Sequence, residues 1–299
     1  MTKPFSPERW AYEITHLLNA AFGGTQFPID VPMVALEYSK QRFPDDPIVS
    51  VKGDSLPTFD GALFRAKAGR TGWGIIYNND ITSKGRINFT LAHELGHYLI
   101  HRIDHPEGIR CGQQEIVRWD SEYGQLEHQA NVFAANLLMP LDDFRRQIPQ
   151  DVKVTFDMLG GAADRYRVSL IAATLRWLSY TARRAILVVS RDGFILWARS
   201  SDPAFRTGAY FKTSNGPIEV PSRSLPANPQ ILLDGRGEID HEHGVWLGEP
   251  VHELALHAEH YDFTLTLLQL NNRVVFFADA SAETDTYDRF AAKPTRGEW

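Results

Sequence analysis

The sequence predicts an α+β fold, and three observations carry that prediction. Apolar residues recur at helical spacing through most of the first 180 positions, interrupted by a few strand-like runs between residues 48 and 78. From Arg184 the texture changes to short runs rich in β-branched and aromatic residues, separated by turn-forming residues. At 299 residues, 43% hydrophobic and 23% charged, the chain has the composition of a globular protein and enough length for two cores.

In chain order, residues 7–22 place Trp10, Ile14, Leu17, Leu18 and Phe22 on one helical stripe that Gly23-Gly24 ends. A second helix is expected around Met33–Lys40. The stretch from Phe43 to Thr58 holds Pro44, Pro47 and Pro57, which predicts loop with a short strand at Ile48–Val51. Asp60–Arg65 and Gly72–Asn78 read as paired strands, with Asn78-Asn79-Asp80 as a turn signal. The second of these strands is a candidate for a cleft edge to which an extended chain adds by main-chain hydrogen bonds; an internal place in a small sheet is the alternative.

The chemistry concentrates in Ile87–His101. Leu91, Ala92, Leu95, Tyr98, Leu99 and Ile100 make this helix apolar on most sides, so it should be buried. It contains His93-Glu94-Leu95-Gly96-His97, in which the two histidines fall one helical turn apart on one face and can aim two imidazole nitrogens at one ion. Buried imidazoles without partners would be costly, and a metal ion supplies the partner. Glu94, one step round the helix, is placed to act as general base on a water rather than as a ligand. A third histidine from the same segment would need Gly at 100 and His at 103; Ile100 and Ile103 exclude that arrangement. The third ligand must therefore come from elsewhere. Residues 127–140 read as a second apolar helix through Ala130, Phe133, Ala134, Leu137 and Leu138, stopped near Pro140. Glu127 in its first turn is the candidate ligand, and Asn131, four residues on, is placed to support a ligand by hydrogen bonding. Glu115, Asp120 and Glu122 stand in reserve.

Phe89-Thr90-Leu91-Ala92-His93-Glu94-Leu95-Gly96-His97, followed by Glu127, Ala130-Asn131, Phe133-Ala134-Ala135 and Leu137-Leu138-Met139-Pro140, resembles the ImmA/IrrE family of bacterial metallopeptidases over roughly residues 10–180. The resemblance implies a zincin-like peptidase core with one zinc ion held by His93, His97 and Glu127, and Glu94 as base. It also implies an unusual substrate, a helix-turn-helix repressor cleaved at one site to release genes for stress response, mobile-element transfer or phage defence.

An oxyanion forming at the scissile carbonyl needs a donor, and Tyr98, His101, His105 and Arg86 are the candidates. His101 lies about 80° round the helix from His93, so it is not placed as third ligand. The only cysteine, Cys111, sits in a stretch expected as loop from Asp104 to Leu126. Arg110-Cys111-Gly112 is similar to the inhibitory cysteine switch of matrix metalloproteinase precursors, which makes Cys111 a candidate inhibitory ligand at the open coordination position; an ordinary free thiol is the alternative.

Thr155–Ala163 and Val168–Tyr180 suggest two helices in a helix-turn-helix layout, with Ser169 capping the second. The expected organisation is thus a peptidase domain over residues 1–150, a helical segment over 151–183 and a β-rich C-terminal domain over 184–299. In that last domain, strands are expected at Ala185–Ser190, Phe194–Ala198, Ile231–Leu233, Phe263–Leu270 and Val274–Phe277, with Arg191-Asp192-Gly193 and Asn271-Asn272-Arg273 as hairpin turns. In position and pattern it resembles the small GAF-like sensor domain of some family members. Its histidines at 241, 243, 252, 257 and 260 follow no ligand spacing and read as surface residues. The tail from Ala280 is polar and expected to be loose.

A net charge of −6 argues against a surface coated for nucleic acid, but residues 145–206 hold ten arginines and Lys153 against five aspartates, a local balance of +6. That asymmetry is a candidate face for a partner, with single-stranded nucleic acid or a small molecule as candidate activators; an ordinary solvated helix surface is the alternative. The absence of a long apolar run, of a secretory leader and of paired cysteines predicts a cytoplasmic protein with no membrane span. The functional expectation is a regulated zinc endopeptidase. A DNA-binding regulator using residues 155–180, with a structural metal, is the rival.

Overall fold

The computed structural model describes residues 5–24, 26–66, 71–112 and 122–271. The chain divides into two compact units, residues 1–144 with 160–173 and residues 145–159 with 174–299.

In the first unit, α1 (Pro7–Phe22) begins where the Ser6 side chain accepts from the Arg9 amide and ends at Gly23 in the left-handed region. Asp30 caps α2 (Val31–Arg42) in the same way through the Met33 amide. Three strands follow, β1 (Ile48–Asp54), β2 (Phe59–Arg65) and β3 (Trp73–Asn78); a fourth, β4 (Gly108–Gly112), comes after the helix α3 (Lys84–His101). Their order is β1-β3-β2-β4, with β1 parallel to β3 and the other pairs antiparallel. Residues 73–78 are therefore no edge. β1 runs three residues beyond the short strand expected and pairs with β3 along its length, so β3 is hydrogen-bonded on both sides. The borders of this sheet, among the described residues, are β1 and β4. β4 itself arises where loop was expected: glycines at both ends hide a three-residue core from any periodicity.

Helix α3 is capped by Ser83 and buried almost without interruption from Thr90 to Leu99. It packs between β2 and α4 (Glu122–Leu138). Two glycines set how close the neighbours come. A Cβ on Gly96 of α3 would lie 2.9 Å from Phe133 Cδ1 and 3.2 Å from Ala130 Cα, and a Cβ on Gly61 of β2 would lie 2.5 Å from Thr90 Cγ2. Because α4 starts at Glu122, Glu127 stands in its second turn rather than its first.

Then come α5 (Leu141–Gln147), α6 (Phe156–Tyr166) and α7 (Leu170–Leu178). The Ser169 hydroxyl accepts from the Ala172 amide, the cap expected for α7, and Arg167 takes a left-handed φ of 51° between the two helices. Every residue of α7 is buried or half-buried.

The second unit is built on one antiparallel sheet. Its elements are β5 (Ala185–Arg191), β6 (Phe194–Ser200), α8 (Asp202–Arg206), β7 (Ile218–Glu219), α9 (Gln230–Asp234), β8 (Arg236–His241), β9 (Val251–Ala258) and β10 (Phe263–Leu270). The strand order is β7-β6-β5-β10-β9-β8. Asp192 and Gly193 both take positive φ in the tight β5–β6 turn, as a two-residue hairpin requires. Ile186, Val188, Trp246, Leu268 and Leu270 belong to its buried core.

Two expectations fail in this unit. Ile231–Leu233 lies in a helix, α9, because the Asn228 side chain accepts from the Gln230 amide and Gly235 closes the turn; three apolar residues in a row do not fix a period. The histidines are not all at the surface, either. His241 is buried, with its Nε2 2.5 Å from Oε2 of the fully buried Glu253. The strand expected at 274–277, turn residues 272–273 and the tail from 280 fall outside the described residues. No described helix is long and apolar enough to cross a membrane.

Gly96→Val should destabilise the protein by about 1–3 kcal/mol through overpacking. Gly160→Ala, in α6 with nothing near the added methyl, should be neutral or stabilising by up to about 1 kcal/mol. Urea unfolding of the two variants checks the contrast; equal midpoints would show that α3 and α4 do not meet closely at Gly96.

Candidate metal centre

One helical turn separates His93 from His97, and their Nε2 atoms come within 2.9 Å of each other. Glu127, carried in by α4, places Oε2 3.2 Å from His93 Nε2 and Oε1 3.2 Å from His97 Nε2. One donor atom from each residue lies within 4.8 Å of the others. Tetrahedral ligation at the usual zinc distances spaces donor atoms roughly 3.3 Å apart, so the three residues could hold one ion. His97 is fully buried, His93 nearly so, and Glu127 is half-buried.

The far side of each imidazole is held as well. His93 Nδ1 lies 3.0 Å from Asn131 Oδ1. An amide oxygen only accepts, so His93 Nδ1 carries a proton and Nε2 is the nitrogen left to ligate. His97 Nδ1 lies 3.0 Å from His101 Nδ1, and His101 Nε2 lies 3.1 Å from Gln129 Oε1. Burial works against charge on His97 and holds its pKa down to about 3. Burial opposes charge on His93 too, but the Glu127 carboxylate outweighs it and raises the His93 pKa. Glu127 is itself opposed by burial, yet the two imidazoles hold it well below the usual carboxylate range. The Glu127 carboxylate thus favours a proton on His93, whereas burial disfavours one on His97. Glu94 is fully buried on the next position of α3, and its charge acts on His93.

Residues 45–178 match the family model described as the IrrE N-terminal-like domain, a peptidase family. That segment belongs to the ImmA/IrrE family. It runs from the loop before β1 to the end of α7 and contains all four of His93, Glu94, His97 and Glu127. The chain accordingly carries a metallopeptidase domain of the ImmA/IrrE type. No curated protein matches the chain.

Within the ImmA/IrrE segment the structure brings together His93, His97, Glu127 and Asn131, and it places His101 behind His97. It does not bring Tyr98 or Arg86 to the centre. The Tyr98 hydroxyl donates to the Asp46 carbonyl at 2.7 Å, and its ring packs edge-on against Phe43 and Trp73. Arg86 forms a fork with both oxygens of Asp60, at 2.8 and 2.9 Å. His101 has both ring nitrogens engaged, so it is no free oxyanion donor either. The His105 amide joins the turn that closes α3. Cys111 lies in β4 with its main chain in register with Gly61. Its side chain is outside the described structure, as is that of Glu122, and Glu115 and Asp120 are outside it altogether. Sequence reasoning missed Gln129 and Gly61. A lone polar residue two positions after Glu127, and a glycine within a strand, were the available signals.

Asn131→Leu removes the acceptor that sets the His93 tautomer. The expected outcome is a roughly 10–100-fold loss of zinc affinity in chelator competition, with the fold retained.

Proposed function

We propose that this chain is a zinc-dependent, site-specific endopeptidase acting on a helix-turn-helix repressor. The observation that carries the enzymatic part is the convergence of two imidazoles and a carboxylate from a separate helix at ligand spacing, with a second, fully buried carboxylate beside them. Two nitrogens and one oxygen are the donor set of catalytic zinc sites, and they leave a fourth position open. Zinc bound there would supply Lewis acidity, polarising a carbonyl and bringing the pKa of a bound water to ~7. Glu94 takes the proton from the attacking water and passes it to the leaving amine nitrogen. Asn131 keeps His93 in the tautomer that can ligate. The repressor as substrate rests on the family resemblance, as does its release of stress, mobile-element or defence genes.

The substrate would bind extended along β4, a border of the sheet among the described residues, whose partner strand β2 sets Gly61 against Glu94. Cys111, in that same strand, would hold the fourth position in the resting enzyme, and Cys111→Ser would then cleave faster without any signal. The β-rich second unit would act as a GAF-like sensor for single-stranded nucleic acid or a small molecule, within a cytoplasmic protein organised as residues 1–150, 151–183 and 184–299. The DNA-reading alternative has less support, because α7 has no exposed residue to offer a groove.

With the repressor encoded beside this gene as substrate, Glu94→Gln should keep one zinc per chain while cleavage falls about 10²–10⁴-fold, the range for losing a general base. Glu127→Ala should lose the zinc. Metal analysis and gel-resolved cleavage check both; undiminished cutting by Glu94→Gln would overturn the mechanism. Proline placed in the repressor next to its cleaved bond removes a main-chain donor, so cleavage should drop about tenfold or more if the chain pairs with β4. Unchanged cutting would remove β4 as the binding edge.

A further inference from the structure

Behind His97 runs a chain of hydrogen bonds that peptide hydrolysis does not itself use. His97 Nδ1 meets His101 Nδ1 at 3.0 Å, and His101 Nε2 meets Gln129 Oε1 at 3.1 Å. His97 is fully buried and His101 is 3% exposed, so solvent offers neither ring a substitute partner. We infer that Gln129 and His101 form a relay that fixes the tautomer of His97 and keeps its Nε2 free of a proton for the metal; both are positioning residues. The inference rests on the metal-site reading above and adds two residues to it.

The logic follows from counting donors. A neutral imidazole carries one proton, on one of its two nitrogens. Gln129 Oε1 can only accept, so the His101 proton sits on Nε2 and its Nδ1 is a bare lone pair. That lone pair can be satisfied only by a proton on His97 Nδ1. His97 Nε2 is then bare and faces His93 Nε2 and Glu127. Along the line from Gln129 to His97, any other assignment sets two N–H groups or two lone pairs against each other at about 3 Å, and a cation among the three donors is what satisfies the two Nε2 lone pairs and the Glu127 oxygen that face one another. The two ligand imidazoles are therefore set in different ways by one helix. Asn131 Oδ1 acts on His93 directly, whereas Gln129 Oε1 acts on His97 through an interposed ring. Helix α4 supplies the carboxylate ligand and both tautomer-setting oxygens, at positions 127, 129 and 131.

The test uses the full chain and zinc alone. His101→Phe keeps the ring volume and removes the acceptor, and Gln129→Leu removes the end of the relay. His101→Gln restores an accepting oxygen near the His97 Nδ1. Competition with a chromophoric chelator should show His101→Phe and Gln129→Leu weakening zinc by roughly 10–100-fold, with His101→Gln recovering most of the loss. Nitrogen-15 imidazole spectra of metal-free wild type should show His101 as the Nε2–H form, and Gln129→Leu should shift it toward a mixture. Wild-type zinc affinity in a folded His101→Phe, or a His101 that is Nδ1–H in the metal-free wild type, would overturn the relay. If His101→Phe does not fold, the spectra of wild type and Gln129→Leu decide. A wild type that takes up no zinc would sink the metal reading instead, while the spectra would still judge the relay.

Discussion

The packing of α4 on α3 at Gly96 is the constraint on which the rest of the first unit hangs. A methyl group at that position would press into Phe133 and the Ala130 backbone, and only its absence lets the two helices approach closely enough for Glu127 to reach both histidines. Interiors are close-packed, so a few tenths of an ångström at such a crossing are not absorbed but passed along. Here they would be passed to the carboxylate and to the two amide oxygens that set the imidazole protons.

The opposite side of α3 is fixed by polar residues that flank the metal-site pattern. Near its start, Arg86 clamps Asp60 of β2, next to the Gly61 that lies against Thr90 and Glu94. Toward its end, Tyr98 holds the Asp46 carbonyl, while Arg102 lies over the Phe43 ring at 3.9 Å and near the Asp46 carboxylate. Asp46 also accepts from the Trp73 indole, so the loop before β1, strand β3 and helix α3 share one anchor. These residues look reactive in isolation, yet their chemistry is spent on holding the helix. The helix can then be buried nearly all round while its histidines stay aimed.

This explains which parts of the site were legible in the chain. His93, His97 and Asn131 could be read because i, i+4 geometry is local, and Glu127 because it heads the apolar run over residues 127–140, with the family resemblance setting it ahead of the other nearby acids. The fates of Tyr98 and Arg86 depend on Asp46 and Asp60, partners 52 and 26 residues away that no periodicity links to them. The interior place of β3 follows from a parallel pairing with β1, and alternation along a strand says which face is buried but not which neighbour it has. β4 was hidden by its short length between glycines, and α9 by a run too short to show a period. The buried His241–Glu253 pair went unread because its members meet only across the β8–β9 ladder.

The third donor reaches the histidines from another helix, and that has a thermodynamic corollary. A denatured chain keeps the His93–His97 pair in sequence but scatters Glu127, Asn131 and Gln129, so a divalent ion prefers the native form. By mass action, an ion at a hundredfold excess over its dissociation constant would add about 2.7 kcal/mol to the cost of unfolding. For a molecule of ordinary marginal stability that is a large share of the whole. The supply of metal in the cell would then govern how long this protein survives as well as whether it can cut.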